Sequence, residues 1–195
     1  MRNVIRIAAV LMLSAALILG YYSYLQSRIE RKENTEAQKL SEYDRIVAQD
    51  FQSEYPLTPR EVLKWYNRII TEYYGHEDLT DSELKKLIER QRALLDTELL
   101  EQNPEDQFIL NVKSNIVEYQ ARSQRIVQSK VCSSNDFRYK TVNGYECAYG
   151  KCYYFMKEGS NFFPQYQEYC LRKDTEGHWK ILTWRVTTGE AEDFR

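Results

Sequence analysis

The sequence is poor in the residues that define several protein classes. Its 195 residues include only 7 glycines and 4 prolines, which excludes collagen-like chains and Pro/Gly-rich disordered chains. The 27 basic residues nearly balance the 29 acidic ones, so the chain lacks the basic excess that neutralises phosphates in nucleic-acid binding. We therefore expect no nucleic acid among its partners.

Motifs for metal, phosphate and nucleophilic chemistry are missing as well. The sequence has no G-x-S-x-G, no glycine-rich phosphate loop and no H-E-x-x-H around its 2 histidines, which are motifs typical of those chemistries. The 4 cysteines show no C-x-x-C spacing, which argues against a zinc site. We expect no metal and no cofactor.

One long apolar run stands near the N-terminus. Residues 7–27 carry no charge, and about 20 such residues span a bilayer as a helix. Tyrosines follow the run, where an interfacial aromatic belt would place them. A cleaved signal peptide is the main alternative, although Leu-Ile-Leu-Gly at 17–20 is a poor cleavage site, and a buried core helix is the third. We predict an uncleaved membrane anchor that includes Ile7, Leu11, Leu17, Leu19, Tyr21 and Tyr22.

The orientation of this anchor depends on the flanking cations. Arg2 and Arg6 precede the run, and three basic residues at 28, 31 and 32 follow it. A literal count of these charges favours a cytoplasmic body, whereas the very short tail before the run carries no acid and favours export. We predict a single-pass protein of the cell membrane with an extracytoplasmic C-terminal domain. The bilayer is then its first partner.

The remaining chain divides by composition. Residues 28–55 are charged and lack Gly and Pro, with a thin apolar stripe at Leu40, Tyr43, Val47 and Phe51. This pattern favours a solvated helical stalk over a short dimerising coil, because so few apolar positions specify no coil. We predict a tail and anchor at 1–27, the stalk at 28–55, a folded domain at 56–188 and a C-terminal tail at 189–195.

Three amphipathic helices are predicted in the first half of the domain. Thr58 and Thr80 are N-cap residues with an acid three positions later, which is the capping-box pattern. The second helix keeps its apolar period as far as Asn103-Pro104, where Asn103 caps the third.

The second half of the domain is predicted to form β-strands. β-Branched and aromatic residues dominate after residue 124, and turn sequences divide them into strands near 124–140, 145–157, 163–173 and 178–187. Helices followed by an antiparallel meander indicate an α+β fold, here three helices packed on a curved four-stranded antiparallel sheet.

Two resemblances rest on short sequence phrases of the predicted domain. The ending from Leu171-Arg-Lys-Asp to Gly177-His-Trp179-Lys-Ile resembles the last hairpin of the nuclear transport factor 2-like superfamily, in which a curved sheet and its helices form a cone around a pocket. The chain is also similar to an uncharacterised family of single-anchor membrane proteins from anaerobic Firmicutes. That similarity is carried by Thr58-Pro59-Arg60-Glu61-Val62, Thr141-Val142-Asn143-Gly144 and Tyr166-Gln167-Glu168-Tyr169. The resemblances imply the fold and the anchoring, and they imply no activity.

The cysteines all lie among the predicted strands. A turn centred near residue 161 would place Cys152 opposite Cys170, and a turn near 142–143 would place Cys132 opposite Cys152. Either disulfide is geometrically possible, but Cys152 cannot form both, and free thiols also pack well as small apolar groups.

Aromatic residues occupy both faces of the predicted sheet, so that neither face is wholly polar. Trp184 is expected on the face opposite to Trp179 and Ile181, near a pocket or a subunit contact. Tyrosine and tryptophan are favoured at interfaces. The candidates for binding a ligand or a partner are Tyr66, Tyr119, Tyr153, Tyr154 and Trp184.

The sequence therefore predicts a membrane-anchored, non-catalytic binding domain for a small ligand, an envelope protein or a second copy of the chain. The alternative is an isomerase or dehydratase with a carboxylate acid–base in a cone-shaped pocket. Its carboxylate candidates are Glu118, Asp136, Glu146 and Glu168.

Overall fold

The computed structural model describes residues 41–75 and 78–189. The predicted anchor, from Ile7 to Tyr22, and the start of the predicted stalk lie outside these residues, as does the tail after Gly189. Within the described part, none of the helices has the length and apolarity needed to cross a membrane.

The described chain is α+β, as predicted, with its helices before its strands. The helices are α1 (Glu42–Ala48), α2 (Pro59–Gly75), α3 (Asp81–Arg92), α4 (Thr97–Gln102) and α5 (Glu105–Ala121). The strands are β1 (Gln124–Val131), β2 (Arg138–Val142), β3 (Tyr145–Glu158), β4 (Asn161–Lys173) and β5 (Trp179–Thr187).

The described end of the predicted stalk belongs to the folded domain. Ile46 of α1 is completely buried, and Phe51 after it is 5% exposed. Tyr43 and Val47 pack against the same core, and the Arg90 guanidinium of α3 donates to the Val47 carbonyl at 2.9 Å. Residues 42–55 therefore differ from the solvated stalk that the sequence predicted, because their narrow apolar stripe covers the helices instead of facing water.

Both predicted capping boxes are present. The Thr58 hydroxyl accepts from the Glu61 N–H at 3.2 Å, and Thr80 forms the reciprocal pair with Glu83. Such caps satisfy backbone N–H groups that a helix start leaves without partners.

The second predicted helix is interrupted, although its apolar period continues. The Asp96 N–H donates to the Ile181 carbonyl at 2.8 Å, and the Ile181 N–H donates to the Leu94 carbonyl at 2.9 Å. Here the backbone pairs with β5 instead of continuing the helix, and Asp96 caps the short α4. Asn103 ends α4 and is not the cap of α5, which starts after Pro104 without a side-chain cap.

The strands form one antiparallel sheet in the order β1-β3-β4-β5, and β2 also pairs with β3. The first predicted strand, 124–140, is two strands that follow one another along the same edge of β3, with partners Cys152–Glu158 for β1 and Tyr145–Tyr149 for β2. A 3-10 turn at Ser134–Asp136 separates them. The sheet thus has five strands where four were predicted.

Candidate functional site

A cavity of about 200 Å³ lies between α2, α5 and the inner face of the sheet. We call it the aromatic cavity, because tyrosine and tryptophan form most of its wall and amide and aliphatic side chains form the rest. The lining residues are Tyr66, Ile70, Tyr73, Tyr74, Asn115, Tyr119, Ile126, Tyr154, Met156, Gln165, Gln167, Tyr169 and Trp184. None of them carries a formal charge at neutral pH.

Strand alternation and register bring the sheet residues together. Tyr154 and Met156 are two apart on β3, so they point to the same face, and they are 2% and 1% exposed. Tyr154 pairs with Gln165 across to β4, and Tyr169, further along that strand, pairs with Trp184 of β5.

Trp184 faces the cavity because β5 contains an irregularity. The register of β4 and β5 shifts between Cys170 and Leu171, which reverses the alternation beyond Ile181. The opposite orientation that the sequence predicted for Trp184 relative to Ile181 was therefore wrong. The indole stacks on Tyr169 with ring centroids 6.2 Å apart and lies 6.2 Å from the Tyr66 ring. At 39% exposure, Trp184 connects the buried wall with solvent.

A chain of hydrogen bonds runs along the cavity floor. The Tyr154 hydroxyl donates to Asn67 Oδ1 at 2.6 Å, the Tyr169 hydroxyl donates to Gln167 Oε1 at 2.6 Å, and the two hydroxyl oxygens are 2.8 Å apart. Each hydroxyl has one proton and two acceptor lone pairs, and either hydroxyl can donate to the other. A hydroxyl oxygen is then left able to accept from a donor in the cavity.

The tyrosines of this wall are neutral donors and acceptors rather than bases. Burial raises the pKa values of Tyr154 and Tyr169 well above the ordinary value. Burial, with the neighbouring Tyr119, raises the pKa of Tyr74 to about 12. The wall can therefore contact a ring and share hydrogen bonds, but it supplies no charge at neutral pH.

The carboxylates that the sequence offered for acid–base chemistry lie elsewhere. Glu118 is exposed and pairs with Arg122 at 3.8 Å, and Glu146 is exposed and pairs with Lys173 at 3.0 Å. Asp136 and Glu168 line a different, outer pocket. The described residues thus bring no carboxylate to the aromatic cavity.

Glu168 is held on the outer face of the sheet by two arginines. Its carboxylate accepts from Arg185 Nε at 3.0 Å and Nη2 at 2.6 Å, and it also contacts Arg138. Burial alone would raise the pKa of Glu168, but these two cations outweigh it and leave the pKa below the ordinary value.

Four of the five candidate residues line the cavity, and Tyr153 does not. Tyr153 belongs to an outer cluster of rings, in which its centroid is 6.4 Å from that of Phe155 and 5.5 Å from that of Tyr166. Its interface role stays a prediction. Sequence reasoning missed Asn67 and Tyr169. The period-two run Gln165, Gln167, Tyr169 was the available signal for the second of these.

The four cysteines are free and buried, so the possible Cys152–Cys170 disulfide is not formed. The β3–β4 turn consists of residues 159–160 instead of being centred near 161. The pairing therefore shifts by three residues, and Cys152 pairs with Gln167 and Cys170 with Tyr149. The two thiols also face opposite sides of the sheet. Burial raises the pKa of Cys152 to about 12, which keeps it protonated.

Comparison with protein families identifies the family of this chain. The family model described as "Domain of unknown function (DUF6715)" matches residues 1–184. No curated protein matches the chain. Among residues 41–75 and 78–189, no group of three or more His, Cys, Asp or Glu side chains is placed to hold a metal ion.

Proposed function

The chain belongs to the DUF6715 family of domains of unknown function, and from the cavity we propose that it is a ligand-binding domain for a small uncharged molecule with one ring. The observation that carries this proposal is the uncharged, ring-lined wall with tyrosine and amide hydrogen-bonding groups. Ligand pockets combine apolar and aromatic walls with a few polar groups in the same way.

The size of the cavity restricts the ligand. An apolar cavity of about 150 Å³ accommodates benzene, so the aromatic cavity, at about 200 Å³, has room for one ring with a small polar substituent. A hydrogen-bond donor on that substituent would use the acceptor that Tyr154 and Tyr169 leave available. A charged substituent would be desolvated there without a counter-charge, which is costly.

Benzamide is a suitable first probe, because it is an uncharged ring with an N–H donor. We expect weak but saturable binding to the full chain in a non-ionic detergent, measured by isothermal titration calorimetry. Benzoate has nearly the same shape and a negative charge, and it should bind at least about tenfold more weakly. Equal binding of the two would contradict the proposal.

Two matched variants test whether benzamide binds in the aromatic cavity. Trp184→Ala removes one wall of the cavity and should weaken benzamide binding at least about fivefold, since ring contacts contribute roughly 0.5–1.5 kcal/mol beyond burial. Tyr153→Ala removes a ring of the outer cluster on the opposite face and should leave binding unchanged. Loss of binding in Tyr153→Ala, with Trp184→Ala unaffected, would place the site elsewhere.

The anchoring and the fold family remain parts of the proposal. Residues 7–27 form the proposed transmembrane anchor with the domain on the outer side, which would hold the domain at high local concentration beside its target. A cavity between helices and an antiparallel meander supports a nuclear transport factor 2-like cone. Recovery of the intact chain in the soluble fraction after cell lysis would refute the anchor, whereas retention through an alkaline carbonate wash supports it.

A further inference from the structure

A second cleft lies on another face of α2. Its volume is about 630 Å³, and it is bounded by α2, by β1 and by the loop that follows β1. Residues Arg60, Lys64 and Arg68 of α2 line it, whereas the α2 residues of the aromatic cavity are Tyr66, Ile70, Tyr73 and Tyr74. The two sites therefore use different faces of one helix.

The wall of this cleft is strongly basic. The three α2 cations are spaced four residues apart, and Lys130 of β1 adds a fourth cation from the other side. Hydroxyls of Ser129, Ser133 and Ser134 complete the polar wall, and no acidic residue is among those that line the cleft. This concentration of cations occurs in a chain with a formal charge of −2.

Such an arrangement is unfavourable for the helix by itself. Like charges four residues apart on a helix repel one another and destabilise it. Glu42 relieves part of this repulsion, because its carboxylate accepts from Arg68 Nε at 2.5 Å. An anion bound in the cleft would relieve more of it, since Lys64 and Lys130 come from opposite walls.

Two of the guanidinium groups are held in place before any ligand arrives. Arg60 Nε donates to the Cys132 carbonyl at 2.9 Å. The Arg68 guanidinium lies over the Trp65 ring, 4.0 Å from its centroid. Donors that are already ordered lose less side-chain entropy when they bind a ligand.

We propose that this basic cleft binds a phosphate group carried on a larger molecule. Arginine and lysine side chains from two walls, together with serine hydroxyls, suit the several oxygens and the charge of a phosphate. The volume exceeds what a bare phosphate needs, so the rest of the ligand occupies the cleft beside it. A phosphorylated small molecule and an anionic lipid headgroup share this chemistry.

The test is calorimetric titration of the full chain in a non-ionic detergent. The probes are glycerol 3-phosphate as the soluble source and dihexanoyl-phosphatidylglycerol as the lipid source, with dihexanoyl-phosphatidylcholine as the lipid without net charge. We expect saturable binding of at least one anionic probe, weakened several-fold when NaCl is raised from about 50 to about 300 mM, because salt screens exposed charges.

Charge variants tie the binding to the cleft. Lys64→Glu should weaken binding of the anionic probe at least tenfold, and Lys130→Gln, which changes a different element, should weaken it at least threefold. Lys85→Glu makes the same charge change on α3, outside the cleft, and should retain wild-type affinity.

The outcomes separate the two sources. Glycerol 3-phosphate binding that Lys64→Glu abolishes supports a soluble phosphorylated ligand. Binding of phosphatidylglycerol alone, lost in the same variant, supports a lipid headgroup. Binding of neither anion, equal binding of the phosphatidylcholine probe, or equal loss in Lys85→Glu overturns the proposal. The benzamide result does not affect this test, because it reports on the other face of α2.

Discussion

Removing the Tyr154 hydroxyl tests the hydrogen-bond chain on which the cavity floor depends. Tyr154→Phe deletes the donor to Asn67 Oδ1 at 2.6 Å and the contact with the Tyr169 hydroxyl at 2.8 Å. A neutral hydrogen bond contributes about 1 kcal/mol, and a buried acceptor left without a donor costs about 1–3 kcal/mol. Because Asn67 is 3% exposed, water does not readily replace the lost donor. We expect a loss of about 2–4 kcal/mol in the free energy of unfolding.

Urea unfolding of the full chain in detergent, followed by circular dichroism, measures this loss. In a thermal scan it corresponds to a fall in Tm of about 4–14 °C for a domain of this size. Tyr153→Phe makes the same chemical change on the neighbouring residue, which faces the outer side of the sheet, and should change stability by less than about 0.5 kcal/mol. Equal stabilities of the two variants would refute the buried chain of hydrogen bonds.

A double variant separates the shared bond from other effects. Asn67→Leu removes the acceptor that Tyr154 uses, so Tyr154→Phe no longer leaves that oxygen unpaired. The combined cost should be smaller than the sum of the two single costs by about 1 kcal/mol or more, as is typical of residues that share a bond. Strict additivity would contradict the contact.

Three further predictions concern other parts of the fold. Arg172→Ala should lower the free energy of unfolding by about 3–5 kcal/mol, because it leaves the buried Asp96 carboxylate without the guanidinium that donates through Nε and Nη2. Gly150→Ala should lower the free energy of unfolding by about 1–3 kcal/mol through overpacking, since an added Cβ would come within 2.3 Å of the Phe137 ring. Glu168 has a lowered pKa, so its carboxylate stabilises the fold above its unfolded-state pKa of about 4.3, and this contribution is lost as the pH falls through the lower folded-state pKa. In Glu168→Gln, the free energy of unfolding should therefore depend less on pH in that acid range.

Each of these variants has a matched control in the chain. Lys173→Ala breaks the exposed pair with Glu146 and should cost less than about 1 kcal/mol. Gly75→Ala adds a Cβ that meets no atom within 4 Å and should be nearly neutral. Glu146→Gln removes an exposed acid and should leave the pH dependence of the free energy of unfolding at acid pH as it is in the wild type. If a control changes stability as much as its test variant does, the contact assigned to that test variant is contradicted.

The order of elements was accessible from sequence because local signals determine it. Thr58 and Thr80 are capping residues whose partners lie three positions away, and the turn sequences near 143 and 159 contain residues with positive φ. The division of 124–140 into two strands could not be predicted from local sequence in the same way. It depends on which residues of β3 each half meets, and that is a long-range property.

Only part of the cavity could be predicted from the sequence, for the same reason. Tyr66 and Tyr154 were both candidates from the sequence, and both line the cavity, but the sequence did not show which face of β3 is the inner one. The irregularity opposite Cys170 and Leu171 has no local sequence signal that we can identify, and it reverses the face of Trp184. The break at Leu94–Asp96 similarly follows from pairing with Ile181, which lies far along the chain.

α2 explains why an uncharged cavity and a basic cleft lie side by side in a domain of this size. With 3.6 residues per turn, Arg60, Lys64 and Arg68 follow one line along the helix, and Tyr66, Ile70 and Tyr73 follow another. Asn67 falls between the two lines. It borders the basic cleft and accepts the Tyr154 hydroxyl of the cavity. A neutral amide suits that position, because an aspartate there would place a buried charge beside the tyrosines and partly cancel the cations of the cleft.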